Sequence, residues 1–413
     1  MPSDRLLRFR QYMAAFEGSA DPAKSIDHGH YVHAPGQLLV DQIAGRIALR
    51  PNSTHLLVGG IGSGKTTQLL VAQKQLEDVG DLAVCYVDVS RYTDISQVEP
   101  GVLMTIVALE LADLIPSPMD ASIQAALKSL EMIAFDHTTT HLVNPRAANN
   151  AMLDISRNLF SLRQQTMTHK GLLRKVQEDN PTGNSKLENV FQTILQAVTQ
   201  HVGKTLVVLI DGLDRLDDTQ KFSQMIRTDL QAMKALGIGT VIVGPILFIH
   251  SAYQDAKDLI DHLYYQPCFD VEKSAPARKF FADVIETRLS EPGFFARGSL
   301  NLLVRQSGGV LRDLITLTQS AIEEAYIAGD QNLEQRHIDK AVQTLARAKI
   351  MGISEAALTI LRHHLQNKDF VLGSPESFQL LTSRRIIEYD YPNYRYVVHP
   401  AIVPLLQPVA ASA

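Results

Sequence analysis

Hydrophobic and polar positions follow two different rhythms along this chain, and the switches between them mark its elements. Four segments are near-continuous apolar runs, the pattern of strands buried on both faces of a parallel sheet. They are HLLV at 55–58, LAVCYVDV at 82–89, TLVVLI at 205–210 and the run at 240–249. A fifth, short strand is expected near the end of LIDHLYYQPCFDV, 259–271. Between the strands, apolar residues recur at helical spacing. Helices are expected over 37–49, from Lys65 to Val79, over 106–115, 121–135, 148–178, 186–201 and 219–236, and from Ala277 to Leu289. Pro116 and Pro118 stop one of these, DNPTGNS at 179–185 separates two, and Gly237 closes another. From 299 to 349 the pattern is helical, interrupted by SGG at 307–309. The block 350–413 carries two or three short helices, then IIEY at 386–389 and YRYVV at 394–398 joined by DYPN. Residues 1–36 read as polar and mixed, and the chain shows no internal repeat.

The first strand runs directly into Gly59–Thr67, GGIGSGKTT, and a helix follows it. The stretch satisfies G-x-x-x-x-G-K-[ST], and the flanking strand and helix are the context that pattern needs. Its glycines let the backbone turn tightly and aim N–H groups at phosphate oxygens, and the helix start adds its positive end. Gly59, Gly60, Gly62, Ser63, Gly64, Lys65, Thr66 and Thr67 are therefore the expected cradle for ATP. Lys65 should reach the β- and γ-phosphates, and the Thr66 hydroxyl should ligate Mg²⁺. The third strand ends in Asp211, within LVVLIDGLDRL at 206–216. A carboxylate at the C-terminal end of such a strand is expected to hold the Mg²⁺ through water. Hydrolysis also needs a group that orients water. Position 212 is Gly, so no carboxylate directly follows Asp211, and Asp214 is the nearest substitute. The alternative for Asp214 is a helix cap or a partner for Arg215. Asp217 and Asp218 fit caps of the helix beginning near Thr219.

The order strand, phosphate loop, helix, IDGLD, strand, then a helical segment containing GGVLRDL resembles the AAA+ superfamily and the related STAND ATPases. IDGLDRL is similar to the STAND Walker B, with its second acidic residue three places on. SGGVLRDLITL at 307–317 is similar to the sensor 2 helix of initiator-type AAA+ proteins, those related to origin-recognition and transposition ATPases. That resemblance implies that Arg312 reaches the γ-phosphate from a helical lid. Arg312 also stands in the first turn of a helix, where the dipole disfavours a cation unless an anion faces it; the alternative is a salt bridge with Asp313 or a surface carboxylate. The resemblance, over about 38–110 and 200–410, implies an α/β fold. It would be an AAA+-like P-loop NTPase parallel sheet with a helical insertion, a helical lid and a C-terminal winged helix. The domains would be an N-terminal segment, 1–36, with Tyr31 and His33 near the base, and an ATPase core, 37–275, with the insertion at about 96–200. The lid, 276–349, and the winged helix, 350–413, would follow, the latter closed by a helix at 399–406. The run at 240–249 carries Gly244–Pro245 where these families often place a polar sensor 1 residue, so that role stays unassigned. Arg288, Arg297 and Arg305 are arginine-finger candidates by position, with surface arginines the alternative.

Composition narrows the partners. With 413 residues, 45% hydrophobic and 20% charged, the chain reads as globular, with room for a large domain and one or two smaller ones. A net charge of −5 excludes a strongly basic nucleic-acid footprint overall. Cys85 and Cys268 are the only cysteines, which excludes a disulfide scaffold and a Cys-rich zinc site. No segment approaches the roughly 20 apolar residues of a membrane span, and MPSDRLLRFRQYM lacks a signal-peptide core; a cytoplasmic protein without membrane contact is expected. In the last block Lys368, Arg384, Arg385 and Arg395 are offset by Asp369, Glu376, Glu388 and Asp390. Tyr389, Tyr391, Tyr394 and Tyr396 suit packing or protein contact more than phosphate binding. The expected function is thus a regulatory or assembly ATPase whose nucleotide state controls self-association into a homo-oligomer or engagement of a separate effector protein, as in bacterial antiviral defence. The insertion would be its adaptor surface. The competing readings are a DNA-binding loader of initiator or transposition type and, third, a small-molecule kinase.

Overall fold

The computed structural model describes residues 4–17, 22–36, 39–116, 119–134, 183–289, 291–390 and 392–407. The helix expected over 148–178 lies outside them. The chain divides into two compact units. One comprises Leu39–Val58 and Val71–Tyr264; the other comprises Met1–Leu38, Gly59–Leu70 and Tyr265–Ala413.

The first unit is built on the sheet. Strands β1 (Thr54–Gly59), β2 (Leu82–Asp88), β3 (Thr205–Asp211), β4 (Gly239–Val243) and β5 (His262–Gln266) stand in the order β2-β3-β4-β1-β5. The pairs β2–β3, β3–β4 and β4–β1 are parallel. Every residue of β1 and β4 is buried, which is why they read as unbroken apolar runs. The run at 240–249 is not one strand, as the sequence suggested. β4 stops at Val243, and Ile246–Ser251 is a short helix. Gly244 N still donates to Leu57 O at 2.9 Å, and Pro245, which has no N–H for the ladder, follows it.

The helix Val102–Ala112 begins four residues before its expected start at 106. It is buried on nearly every side, so periodicity could not place its beginning. Its N-terminus is capped from a distance: Asp229 Oδ1 accepts from Gly101 N at 2.6 Å and Oδ2 from Leu103 N at 3.0 Å. Burial pushes the Asp229 carboxyl up to about 6 against these bonds. Asp229 reaches the cap from a π-helical turn, Ile226–Leu230, which interrupts the helix expected over 219–236. The cap at the start of that helix is Asp218, which accepts from Lys221 N at 2.9 Å.

Among the described residues the second unit holds two large cores and a small cluster of Cys268, Val310, Ile387 and Tyr389. In the first, the helices Ala275–Glu286, Ser299–Gln306, Leu311–Ala328 and Gln335–Ile350 pack around Phe281, Phe294 and Ile322. The unpredicted helix Asp4–Glu17 joins them, burying Phe9, Tyr12 and Phe16. Arg5 of this helix donates to the carbonyls of Ala325 at 3.1 Å and Tyr326 at 2.8 Å, at the negative end of Leu311–Ala328. The second core gathers Leu361, Leu380, Ile386, Val398 and Ile402. It belongs to two helices, Glu355–Asn367 and Pro375–Thr382, and to the antiparallel hairpin β6 (Ile386–Tyr389) and β7 (Arg395–Val398). The helix expected over 399–406 is a 3-10 turn, Pro400–Ile402, followed by the four residues Val403–Leu406.

Candidate nucleotide site

The phosphate loop belongs to the second unit, and its glycines are explained by what lies against them. Gly62 and Gly64 have φ of 83° and 98°, the left-handed region that favours glycine. A Cβ on Gly62 would stand 2.8 Å from Arg312 Cβ, 3.1 Å from Arg384 Nη1 and 3.3 Å from Val310 Cγ1. A Cβ on Gly59 would stand 2.2 Å from the carbonyl of Gln266, and one on Gly64 3.0 Å from Leu311 Cδ1. Lys65 opens the helix Lys65–Glu77 and is buried; its ammonium donates to the carbonyls of Gly59 at 3.0 Å and Gly60 at 2.9 Å. The buried Ser63 Oγ has no hydrogen-bond partner among the described residues, a donor placed for a ligand oxygen. Thr66 and Thr67 follow, each half-buried. The donor set fits a polyphosphate: glycine N–H groups, a helix start, an ammonium and hydroxyls.

Arg312 is the second residue of the helix Leu311–Ala328, and its N–H donates to the Gly62 carbonyl at 3.4 Å. The helix Leu311–Ala328 therefore begins on the phosphate loop. Asp313, weighed beside a surface carboxylate as a partner for Arg312, is shared by three other side chains. Asp313 receives Lys349 Nζ at 2.8 Å, Arg384 Nη1 at 2.9 Å and His399 Nε2 at 3.1 Å. Burial alone would raise the Asp313 carboxyl; the His399 hydrogen bond with Arg384 and Lys349 outweighs it and holds the group well below the usual range. Burial lowers His399 to about 4. Its neutral ring donates from Nε2 to Asp313 and accepts at Nδ1 from Ala401 N. Two glycines precede the helix Leu311–Ala328 at close approaches of their own. Gly309, at φ 72°, lies so close to Phe269 that a Cβ would meet its carbonyl oxygen at 1.6 Å, and Gly308 accepts from the Tyr389 hydroxyl at 2.8 Å.

The other predicted acidic residues lie in the sheet unit. Asp211 ends β3, buried, accepting from the Tyr86 hydroxyl at 3.0 Å and Gly212 N at 2.7 Å. Asp214 is half-buried in the 3-10 turn Leu213–Arg215 that follows. One acidic residue was missed. Asp88, at the end of β2, is the register partner of Asp211, and a Cβ on Gly212 would stand 2.9 Å from Asp88 Oδ1. The carboxylate absent from position 212 has a neighbour on the adjacent strand in its place. The signal for it is the D of YVDV at the end of the second apolar run. Asp88 Oδ1 also accepts from Ser90 N at 3.0 Å.

Other candidates are placed differently. Arg288 donates to the carbonyls of Val284 at 2.7 Å and His30 at 3.4 Å, and burial lowers it to about 10. Arg297 and Arg305 are exposed. Tyr31 and His33 contact each other edge to face at 4.9 Å. Arg385, a candidate for DNA contact, donates to the carbonyls of Lys349 at 2.5 Å and Met351 at 3.1 Å. Among the described residues no helix is long and apolar enough to cross a membrane, and no group of His, Cys, Asp and Glu is arranged to hold a metal by itself.

The fold is an α/β one, a five-stranded sheet flanked by helices. Solved structures similar to this chain include Cdc6p from Pyrobaculum aerophilum, at 13% identity, covering 91% of this chain and 95% of that one with a TM-score of 0.43. Orc1 of Aeropyrum pernix, solved in complex with DNA, is 10% identical over 91% and 92%, with a TM-score of 0.41. The Walker-type ATPase of Pyrococcus abyssi is 15% identical over 91% and 99%, with a TM-score of 0.45. No protein-family model matches the chain, and no curated protein is similar to it.

Proposed function

We propose that the chain binds and hydrolyses ATP, and that its lid and C-terminal block turn nucleotide state into self-association or engagement of a partner protein. The observation that carries this reading is the start of the helix Leu311–Ala328 on the phosphate loop, with Arg312 Cβ close against Gly62. A group bound at that loop meets the lid directly, so loss of a phosphate changes what the lid rests on. In this reading Lys65 and the loop N–H groups hold the β- and γ-phosphates, and Arg312 faces the γ-phosphate. Thr66 and Asp211 hold Mg²⁺, which neutralises charge on the phosphates when bound. The helix–helix–hairpin block acts as a winged helix that packs and signals. A kinase has no use for these parts.

Gly212 leaves the water-orienting role to a carboxylate outside that position. We carry Asp214 for it. Asp214→Asn is expected to lower turnover roughly a hundredfold or more while ATP binding is kept; single-turnover and equilibrium-binding measurements separate the two. If Asp88→Asn shows the larger loss, the role passes to Asp88.

The second reading, a DNA-handling ATPase, rests on the initiator-like GGVLRDL stretch, and Cdc6p and the DNA-bound Orc1 named above belong to it. Arg384 and Arg385 are held inside their own unit, so a duplex would have to meet exposed residues such as Arg362 and Lys368. The decisive measurement is ATP turnover and particle size, with a nonhydrolysable ATP analogue and with duplex DNA. Assembly that follows the analogue, with turnover indifferent to DNA, is expected. A tenfold or greater stimulation by duplex, lost in Arg362→Ala with Lys368→Ala, would put the DNA reading first.

A further inference from the structure

Arg384 stands on the turn between the helix Pro375–Thr382 and β6, far along the chain from every motif that binds nucleotide. Its backbone has φ of 60°, at a helix C-terminus where glycine is the usual residue. The turn is closed by Arg384 N to Leu381 O at 3.0 Å and Arg385 N to Leu380 O at 2.9 Å. An arginine held in that conformation is being used for its side chain. The guanidinium reaches the third glycine of the phosphate loop, 3.1 Å from where a Gly62 Cβ would be, while Nη1 donates to Asp313 at 2.9 Å. Nε and Nη2 make no hydrogen bond within the described residues. Cys268 lies on the same loop, its Sγ 3.4 Å from a notional Gly60 Cβ, and its thiol feels both Arg384 and Lys65. Two cations from opposite ends of the sequence therefore bear on one place.

The charge count points to an anion. Asp313 supplies one negative charge; Lys349 at 2.8 Å already balances it, and the neutral His399 adds none. Arg384 is then a surplus positive charge, about four-fifths buried, beside a loop whose buried Ser63 hydroxyl lacks a partner. A buried surplus charge is costly unless an anion shares it. A guanidinium fork is suited to the oxygens of a phosphate.

We propose that Arg384 is a second, C-terminal phosphate-reading arginine, which binds the terminal phosphate of a nucleoside triphosphate held on the loop and rests on Asp313 alone when a diphosphate is bound. The C-terminal block would then be clamped to the loop in the triphosphate state and loosened after hydrolysis. This rests on the nucleotide reading above and deepens it by naming the residue that carries the signal out of the site.

The test uses the full-length chain, titrated with a nonhydrolysable ATP analogue and with ADP. Arg384→Gln is expected to weaken analogue binding at least tenfold and leave ADP binding within twofold. Arg384→Lys keeps the charge beside Asp313 and should lose the preference for triphosphate severalfold, which covers the case in which Arg384→Gln does not fold. The clamp has its own readout: protease cleavage between 367 and 375 should be slower with the analogue than with ADP in the unaltered chain, and equal in Arg384→Lys. Equal weakening of both nucleotides by Arg384→Lys, or an unchanged ratio, would overturn the assignment. Lys65→Ala separates the two readings. If it binds both nucleotides and turns over ATP as the parent does, the nucleotide reading itself fails; if binding or turnover is lost, Arg384 is tested on sound ground.

Discussion

Replacing Asp313 by alanine is expected to destabilise the unit that holds the helix Leu311–Ala328 by about 3–5 kcal/mol, the cost of breaking a buried ion network by removing one member. The carboxylate is 3% exposed and is shared by Lys349, Arg384 and His399. Its removal leaves the Lys349 ammonium, itself 6% exposed, with no counter-ion of comparable distance among the described residues. Lys349 closes the helix Gln335–Ile350, whereas Arg384 and His399 flank the hairpin, so the loss should separate the hairpin block from the lid. Urea unfolding of the variant followed by hydrogen exchange in 355–406 measures it. A loss below about 1 kcal/mol, the scale of an exposed pair, would show the network to be incidental. The same cluster sets an acid limit. The folded Asp313 carboxyl lies below its unfolded value near 4, so its contribution is complete above that pH and fades as pH falls further. His399 acts earlier. Its folded value of about 4 lies below the ordinary 6.5, so between these values the unfolded imidazole takes up a proton that the folded one refuses. Stability therefore falls as pH drops from about 6.5 towards 4, and His399→Gln should reduce that slope. His55 in the sheet unit, also held at about 4 by burial, acts in the same window and leaves part of it in place.

The sheet and the phosphate loop were legible because each rests on local chemistry. A strand buried on both faces is mostly apolar, and β1, β3 and β4 carry unbroken apolar stretches at 56–58, 206–210 and 241–243. A loop that wraps phosphates needs glycine at particular steps, and Gly62 and Gly64 carry the positive φ that shows why. What the sequence hid is held by partners far away along the chain. The start of the helix Val102–Ala112 is fixed by Asp229, which no local pattern links to Gly101. The helix Asp4–Glu17 owes its place to a core drawn from residues 269–341, and its charged positions masked an apolar face of Phe9, Tyr12 and Phe16. Arg384 and Arg385 read as two basic residues offset by nearby acids, yet one lies on the phosphate loop with Asp313 and the other on the end of a helix. Gly212 read as a missing carboxylate; in three dimensions it is the space that lets Asp88 stand beside Asp211.

Lys65→Ala is expected to lower ATP turnover by about 10²–10³-fold, the effect of deleting one preorganised donor to developing charge. The lysine is 3% exposed, and its ammonium is already fixed by the Gly59 and Gly60 carbonyls at 3.0 and 2.9 Å. Being fixed, it costs little reorganisation when phosphate oxygens arrive, which is the source of its catalytic worth. The same two bonds give it a structural share, because alanine removes a donor from the Gly59 carbonyl and leaves the Gly60 carbonyl with Ser63 N–H alone. The two contributions separate by measurement. A structural loss lowers the melting temperature of the protein without nucleotide, and a chemical loss removes turnover at saturating ATP with the melting temperature kept. We expect the second to dominate, since Gly59 is also held by its close approach to Gln266 and Gly62 by the start of the lid helix, neither of which involves Lys65. Turnover retained within tenfold in a folded Lys65→Ala chain would remove the phosphate-loop assignment, and with it the reason for Arg312 and Arg384 to stand where they do.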